Sequence, residues 1–188
     1  MKLTGGRARG RRLRVPRIAG LRPTSERLRE ALFDILGSRI DGAAFLDVFA
    51  GTGAIGLDAL SRGATRAIFI ESNSRAVRAI EQNLALADIE GAARIIERPA
   101  EEALRDLQRA GERFDVIVLD PPYAAVSLDG ALQAAAGLLL PGAVMVVEHA
   151  TRREVAMPQV RGLRQGRRYV HGDSTLTVIH HDGLPLPA

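Results

Sequence analysis

Short apolar runs alternate with amphipathic stretches along most of the chain after Gly42. An apolar run bounded by turn residues predicts a strand buried on both faces, and apolar residues three or four positions apart predict a helix with one buried face. Strands are predicted at 43–49, 65–70, 94–97, 114–119 and 143–148, with helices at 54–62, 77–87, 100–110 and 128–140. Because strands and helices alternate, the sequence predicts a parallel sheet with helices on both faces.

The last part of the chain lacks this alternation. Two strand-like runs, at 167–171 and 175–181, are separated by Gly172 and Asp173, a pair that favours a tight hairpin turn. The sequence therefore predicts an α/β fold in which a mostly parallel seven-stranded sheet ends in an antiparallel C-terminal hairpin.

The first 23 residues are rich in arginine and glycine and contain few apolar positions. They predict a basic N-terminal arm or hairpin over residues 1–23, called here the leader, that lies outside the main core. One globular domain is predicted to follow, over residues 24–188. Thr24 and Ser25 are candidate caps for its first helix, which is predicted to end at Gly37.

Length and composition exclude several classes of protein. The 188 residues suffice for one domain, and a composition of 46% hydrophobic and 26% charged residues excludes disordered and collagen-like chains. No apolar run approaches the roughly 20 residues that span a bilayer, and the N-terminus lacks the apolar segment of a signal peptide. Cysteine is absent, which excludes thiolate chemistry and is compatible with the cytoplasm. The four histidines form no metal-ligand pattern, so we expect no metal. We also expect no membrane contact, because no apolar run is long enough to span a bilayer.

Charge is unevenly distributed along the chain. Residues 1–30 carry ten Lys or Arg against two Glu, whereas residues 31–149 carry ten basic and seventeen acidic groups. Residues 150–170 add six Arg against one Glu. A bias towards arginine explains why Lys2 is the only lysine, but it does not explain where the positive charge lies. An acidic body with two basic segments indicates a polyanionic partner, and nucleic acid is the favoured one.

A glycine-rich segment follows the first predicted strand. Gly51, Gly53 and Gly56 allow a ligand to approach the backbone at a helix N-terminus, and Glu71 follows the next strand, where a carboxylate can accept bonds from ribose hydroxyls. This spacing also satisfies the dinucleotide fingerprint of dehydrogenases. However, Asp47 precedes the loop, where a carboxylate suits a cation and repels a pyrophosphate. The pattern therefore favours an adenosine ligand with a positive charge, S-adenosylmethionine, over a nicotinamide cofactor.

A second motif follows the most apolar strand. Asp120-Pro121-Pro122-Tyr123 leaves that strand through two prolines, which lack N–H donors, so the loop offers carbonyl and carboxylate acceptors. These acceptors suit an exocyclic amine, and Tyr123 offers a ring on which a base can stack. Ligands collect at the carboxyl end of strands in open α/β sheets. The motif therefore predicts a site for an amine-bearing base.

The two motifs together resemble those of class I S-adenosylmethionine-dependent methyltransferases that act on amines. Within that group the chain is similar to the RsmD family, because residues 21–36 (LRPTSERLREALFDIL) match the family's N-terminal helix signature and the GGRARGRRLRVP leader matches its opening. The resemblance implies a Rossmann-like fold. It also implies methyl transfer to N2 of a guanine in 16S rRNA, within the small ribosomal subunit.

The resemblance also implies roles for individual residues. Asp47, Gly51 and Gly53 would line the methionine end of the cofactor, Glu71 would hold its ribose, and Asp120, Pro121 and Tyr123 would hold the target base. The leader arginines would bind RNA phosphates, with Arg22 and Thr24 near the active site; this RNA-binding set is Arg7, Arg9, Arg11, Arg12, Arg14, Arg22 and Thr24. A second contact is predicted for Arg161, Arg164, Arg167 and Arg168.

The chain departs from the family pattern at two positions of the cofactor site. Ser72 stands where a larger apolar residue often packs on adenine. Pro99 stands where Asp or Asn commonly reaches the adenine amino group. Adenine recognition would then rest on the backbone around Ala100.

Three other functions fit parts of the sequence. An amino-methyltransferase acting on DNA adenine N6 or on protein glutamine uses a close variant of the tetrapeptide, but the short chain lacks room for a DNA-recognition domain. A non-catalytic RNA-binding module and a dehydrogenase are the other two. We expect a monomer.

Overall fold

The computed structural model describes residues 1–18, 24–122 and 128–183. Seven strands lie within these ranges: β1 Ala44–Val48, β2 Arg66–Glu71, β3 Ala93–Glu97, β4 Phe114–Leu119, β5 Leu139–Ala150, β6 Leu163–His171 and β7 Ser174–His181. Five α-helices accompany them: α1 Glu26–Leu36, α2 Ala54–Ser61, α3 Ser74–Ala87, α4 Ala100–Arg109 and α5 Leu128–Ala136. Short 3-10 helices occupy Gly37–Ile40 and Glu90–Ala92.

All seven strands form one sheet in the order β3-β2-β1-β4-β5-β7-β6. The first five strands are parallel, β7 runs antiparallel to β5, and β6 runs antiparallel to β7. This arrangement confirms the predicted α/β fold with its antiparallel C-terminal hairpin. The chain builds outward from β1 in one direction and from β4 in the other, so the crevice beside these two central strands is where an open α/β sheet binds ligands.

Alternate side chains of the central strands pack into two separate cores. On one face, Phe45 and Phe69 pack with residues of α1, α2 and α3. On the other face, Leu46 and Ile68 pack with residues of α4 and α5. Since successive side chains of a strand point to opposite faces, a continuous apolar run fills both cores.

Several boundaries differ from the prediction in the region after β4. Strand β6 begins at Leu163 instead of at 167, and β5 extends to Ala150 instead of ending at 148. Helix α5 ends at Ala136 instead of extending to 140, and β5 begins at Leu139 instead of at 143. The reason is tertiary: the Phe114 N–H donates to the Leu138 carbonyl over 3.0 Å, and Leu139 pairs with Phe114 in the sheet. Pairing with β4 therefore overrides the helical pattern.

The leader packs differently from the expectation that it lies outside the main core. Leu3, Ala8 and Leu13 are buried in the core on the α1–α3 face, and Lys2 pairs with Arg12 in an antiparallel bridge. The reason is that this turn of the chain places its few apolar side chains on one side. Its arginines remain on the surface.

A buried ion pair anchors the leader to the helices. The guanidinium of Arg29 in α1 donates to Oδ2 of Asp58 in α2, and both side chains are fully buried. Arg29 Nη2 also donates to the Lys2 carbonyl over 2.7 Å, while Asp58 Oδ1 accepts the Thr4 N–H over 2.7 Å. The pair thus joins two helices and the first residues of the chain. In the described part of the chain, no helix is both long and apolar enough to cross a membrane.

Candidate active site at the carboxyl edge of the sheet

Four adjacent strands each bring one carboxyl group to the same edge of the sheet: Glu71 of β2, Asp47 of β1, Asp120 after β4 and Glu148 of β5. Asp47 pairs with Phe69 and with Val118 across the parallel ladders. Paired residues of parallel strands share a face, as do residues two apart on one strand. The four carboxyl groups therefore form a row, called here the acidic row, on the face covered by α1–α3.

Asp47 lies fully buried under the glycine loop, the name used here for residues 49–53 between β1 and α2. Its Oδ2 accepts the Gly56 N–H over 2.9 Å, but its buried Oδ1 has no hydrogen-bond partner among the described residues. Burial, together with the nearby charge of Glu71, raises the pKa of Asp47 to about 7, although the bond from Gly56 opposes the shift. A cation next to Oδ1 would supply the missing partner and favour the ionised form.

The glycine loop is held by Glu71. Gly51 and Gly53 adopt positive φ angles of 56° and 75°, which glycine tolerates and which turn the chain into α2. Glu71 Oε2 accepts the Gly51 N–H over 2.8 Å, and its Oε1 accepts the Asn73 N–H over 2.8 Å. Glu71 thereby joins the loop after β1 to the loop after β2. A nucleoside that binds to both loops needs them held together in this way.

Asp120 lies where β4 leaves the sheet. Its N–H donates to the Val48 carbonyl over 3.2 Å, and its Oδ2 accepts a hydrogen bond from the Thr24 hydroxyl. Its carboxyl group also shares a hydrogen bond with Glu148. Burial first, and then the charge and hydrogen bond of Glu148, raise the pKa of Asp120 well above its usual range, while the Thr24 hydroxyl lowers it.

The tetrapeptide is described only in part. Pro121 is buried beside Asp120, and Pro122 is exposed. Tyr123, the predicted stacking residue, lies outside the described residues, as does Arg22.

Glu148 is a site residue that the sequence analysis did not identify. It ends the apolar run of β5 and is only 7% exposed. Leu119 of β4 pairs with Val147 of β5, so the next residues, Asp120 and Glu148, lie side by side. The sequence shows an acidic residue after the apolar run of β5, but only the strand order reveals that β5 lies beside β4.

The predicted adenine region lies beside Glu71. The Arg98 N–H donates to the Glu71 carbonyl over 3.2 Å, Pro99 caps α4 without a side-chain bond, and Ala100 is buried at the helix start. Ser72 is exposed after β2. The structure thus brings the 98–100 segment to the glycine-loop side of the site and leaves the Ser72 side chain facing solvent.

The predicted RNA-contacting arginines of the leader are exposed: Arg7, Arg9, Arg11, Arg12 and Arg14. Two of them reach α3, where Arg11 donates to the Leu86 carbonyl over 2.7 Å and Arg14 donates to Gln82 Oε1 over 3.3 Å. In the second basic segment, Arg164 pairs with Asp182 over 2.7 Å.

Thr24, the remaining residue of the predicted RNA-binding set, donates a hydrogen bond to Asp120 and so lies at the carboxyl edge of the sheet. No cluster of metal-ligating side chains occurs in the described ranges.

Known proteins are similar to this chain in sequence and in fold. The family model described as "Conserved hypothetical protein 95" matches residues 1–180. The Bacillus subtilis protein named "Putative rRNA methyltransferase YlbH" is 32% identical over 186 residues, 97% of this chain and 100% of that protein. The Escherichia coli K12 protein named "Ribosomal RNA small subunit methyltransferase D" is 41% identical over 123 residues, 65% of this chain and 60% of that protein.

A solved structure extends the likeness to the whole fold. "Putative methyltransferase yhhF from Escherichia coli" superposes with a TM-score of 0.83 at 31% identity, covering 98% of this chain and 99% of that one. Both the sequence and the three-dimensional arrangement therefore agree with the resemblance seen in the motifs. The chain belongs to the RsmD family, to which the matching family model corresponds, and it has the Rossmann-like fold of methyltransferases.

Proposed function

We propose that this protein transfers a methyl group from S-adenosylmethionine to the exocyclic N2 amine of a guanine in 16S rRNA, within the small ribosomal subunit. The observation that carries the proposal is the row of carboxyl groups in which Asp47, with an unpartnered oxygen, adjoins Asp120 at the exit of β4. Ribosomal RNA as the substrate is supported by the names of the relatives. The N2 position is supported by the motif resemblance.

The residues around the glycine loop suit this cofactor. Its sulfonium and ammonium groups are cations, and Asp47 Oδ1 is a buried acceptor without a partner. Asp47, Gly51 and Gly53 would hold the methionine end, and Glu71 would hold the ribose next to the 98–100 segment. When bound, the cofactor supplies a methyl group that is already activated for transfer.

Asp120 and Pro121 would orient the target amine. The amine of guanine donates two hydrogen bonds, and the Asp120 carboxylate and Pro121 carbonyl are adjacent acceptors. Acceptors arranged in this way stabilise positive charge as it develops on the nitrogen. Thr24 holds one oxygen of Asp120 in place, and Glu148 shares a hydrogen bond with the same carboxyl group. The carboxyl pair would receive the proton that the amine loses.

The target base has to leave its stack to reach this edge of the sheet. The exposed arginines of the leader would hold the RNA backbone meanwhile, with an affinity that falls steeply with salt.

Transfer of labelled methyl from S-adenosylmethionine to small ribosomal subunits that lack this modification, followed by nucleoside analysis, tests the proposal. We expect label as N2-methylguanosine at one site, its loss in Asp120→Asn, and normal transfer by Asp129→Asn, which removes an exposed charge on α5. Label in another nucleoside, or normal transfer by Asp120→Asn, would contradict the proposal.

A further inference from the structure

An arginine-lined groove runs between the leader and α3, on the face of the molecule that carries α1–α3. Four arginines line it, two from the leader (Arg14 and Arg17) and two from α3 (Arg75 and Arg78), together with Val15 and Gln82. Among the residues that the structure describes, no acidic one lines this groove. The opposed walls thus present four positive charges to one open space of about 640 Å³.

The two α3 arginines are available to bind a partner. Both are exposed, and neither forms an ion pair or a side-chain hydrogen bond within the ranges that the structure describes. The only acidic residue of α3 is Glu81, which is exposed and is not paired with either arginine. Arg75 and Arg78 lie three positions apart, so they share one side of the helix.

The leader wall of the groove is held rigidly. Asn83 of α3 is fully buried, and its side chain pairs with both polar groups of the Arg14 backbone: Oδ1 accepts the N–H over 2.7 Å and Nδ2 donates to the carbonyl over 3.0 Å. The same Nδ2 donates to the Thr52 carbonyl of the glycine loop over 3.0 Å. The backbone of Arg14 is therefore fixed against α3 before a partner binds, which lowers the conformational cost of binding there.

We propose that this groove binds the sugar–phosphate backbone of the substrate RNA, through Arg75 and Arg78 as well as the leader arginines. The proposal rests on the proposed function for the identity of the RNA. Guanidinium groups bind phosphates through paired N–H donors. Val15, which is 42% exposed, adds an apolar surface to the groove between Arg14 and Arg17. The predicted phosphate contacts of the leader thus extend onto α3, for which the sequence predicted no RNA contact.

The test compares two double variants that remove the same charge. Arg75→Gln/Arg78→Gln changes the groove, and Arg105→Gln/Arg109→Gln changes α4, which covers the opposite face and whose arginines pair with Glu101 and Asp106. Binding of each full-length protein to a 16S rRNA transcript is measured by filter binding at several salt concentrations. Thermal unfolding of each variant verifies that it is folded.

We expect the groove variant to bind roughly tenfold more weakly and to lower the slope of log affinity against log salt by about 1.5 to 2, because two phosphate contacts are lost. The α4 variant should change both quantities much less. Equal losses in the two variants, or wild-type affinity in the groove variant, would overturn the proposal. Failure of methyl transfer with groove-dependent RNA binding retained would contradict the proposed function and leave this inference standing.

Discussion

The hydroxyl of Thr24 donates a hydrogen bond to Oδ2 of Asp120, and so joins the residue next to the first helix cap to the exit of β4, 96 positions away. Glu148 contacts the same carboxyl group from the neighbouring strand. The two neighbours act in opposite directions, since Thr24 lowers the pKa of Asp120 and Glu148 raises it. Burial is the largest cause of the raised pKa of Asp120, and Thr24 and Glu148 adjust that pKa in opposite directions at the carboxyl group proposed to bind the target amine.

Replacing Thr24 by Val removes the hydroxyl at nearly constant volume. Loss of a hydrogen bond that favours the ionised form raises the pKa of Asp120, so the acidic limb of the pH–rate profile should move to higher pH. A hydrogen bond to a charged group contributes about 1.5–3 kcal/mol, so we expect kcat to fall roughly 10- to 100-fold. Thr24→Ser, which keeps the hydroxyl, is the control; equal profiles for Val and wild type would refute the role of this bond.

Replacing Glu148 by Gln should move the same limb the other way. The substitution removes a negative charge beside Asp120 at constant shape, so the pKa of Asp120 falls and activity extends to lower pH. Single-turnover methyl transfer measured across the pH range reports the shift. A profile that moved to higher pH, or one that did not differ from Thr24→Val, would be inconsistent with the carboxyl pair.

Asp47 should make both stability and cofactor binding depend on pH. Its pKa rises from 3.8 to about 7 on folding, so the folded state binds more protons than the unfolded state between these values. The free energy of unfolding contributed by Asp47 therefore falls as the pH rises through that interval, and it levels off above about pH 7. Denaturant unfolding of wild type and Asp47→Asn at several pH values should show a steeper fall in the wild type, since Asp120 contributes a fall to both proteins.

Binding of S-adenosylmethionine should release a proton from Asp47 at about pH 6, because a cation beside Oδ1 favours the ionised carboxylate. Calorimetry in buffers with different ionisation enthalpies measures the release, which should vanish near pH 9. The Asp47→Asn variant is expected to bind more weakly and without proton release. Binding of the wild type near pH 6 with no buffer dependence would contradict this role.

The Arg29–Asp58 pair should dominate the attachment of the leader. Arg29→Met leaves Asp58 buried without its cation, and such a change costs about 3–5 kcal/mol of unfolding free energy. Urea unfolding measures the loss, and limited proteolysis should cleave the leader faster in the variant.

The matched control for this variant is Arg27→Met, because Arg27 is exposed on the same helix. The double variant Arg29→Met/Asp58→Asn should lose less stability than the sum of its single variants, since no unpaired charge is left. Additive losses would show that the two side chains act independently.

The positions of most elements and both motif loops follow from the sequence alone. Apolar runs such as 114–119 predict buried strands, Ser25 and Gly37 mark the ends of α1, and the glycines after β1 mark the turn into α2. These signals are local, because each depends on side-chain periodicity or on the backbone freedom of single residues. The same signals placed Asp47 and Asp120 at strand ends before the sheet was known.

What the tertiary structure decided is which of these residues are neighbours. The strand order places Glu148 beside Asp120, the docking of α1 brings Thr24 to the same carboxyl group, and pairing with β4 ends α5 early. Burial of Leu3 in the leader likewise depends on helices far along the chain. Local sequence patterns carry no information on contacts between distant segments, because those contacts form only when the whole core packs. The sequence by itself determined the kind of fold and its motif loops, and packing alone assembled the acidic row and the arginine groove.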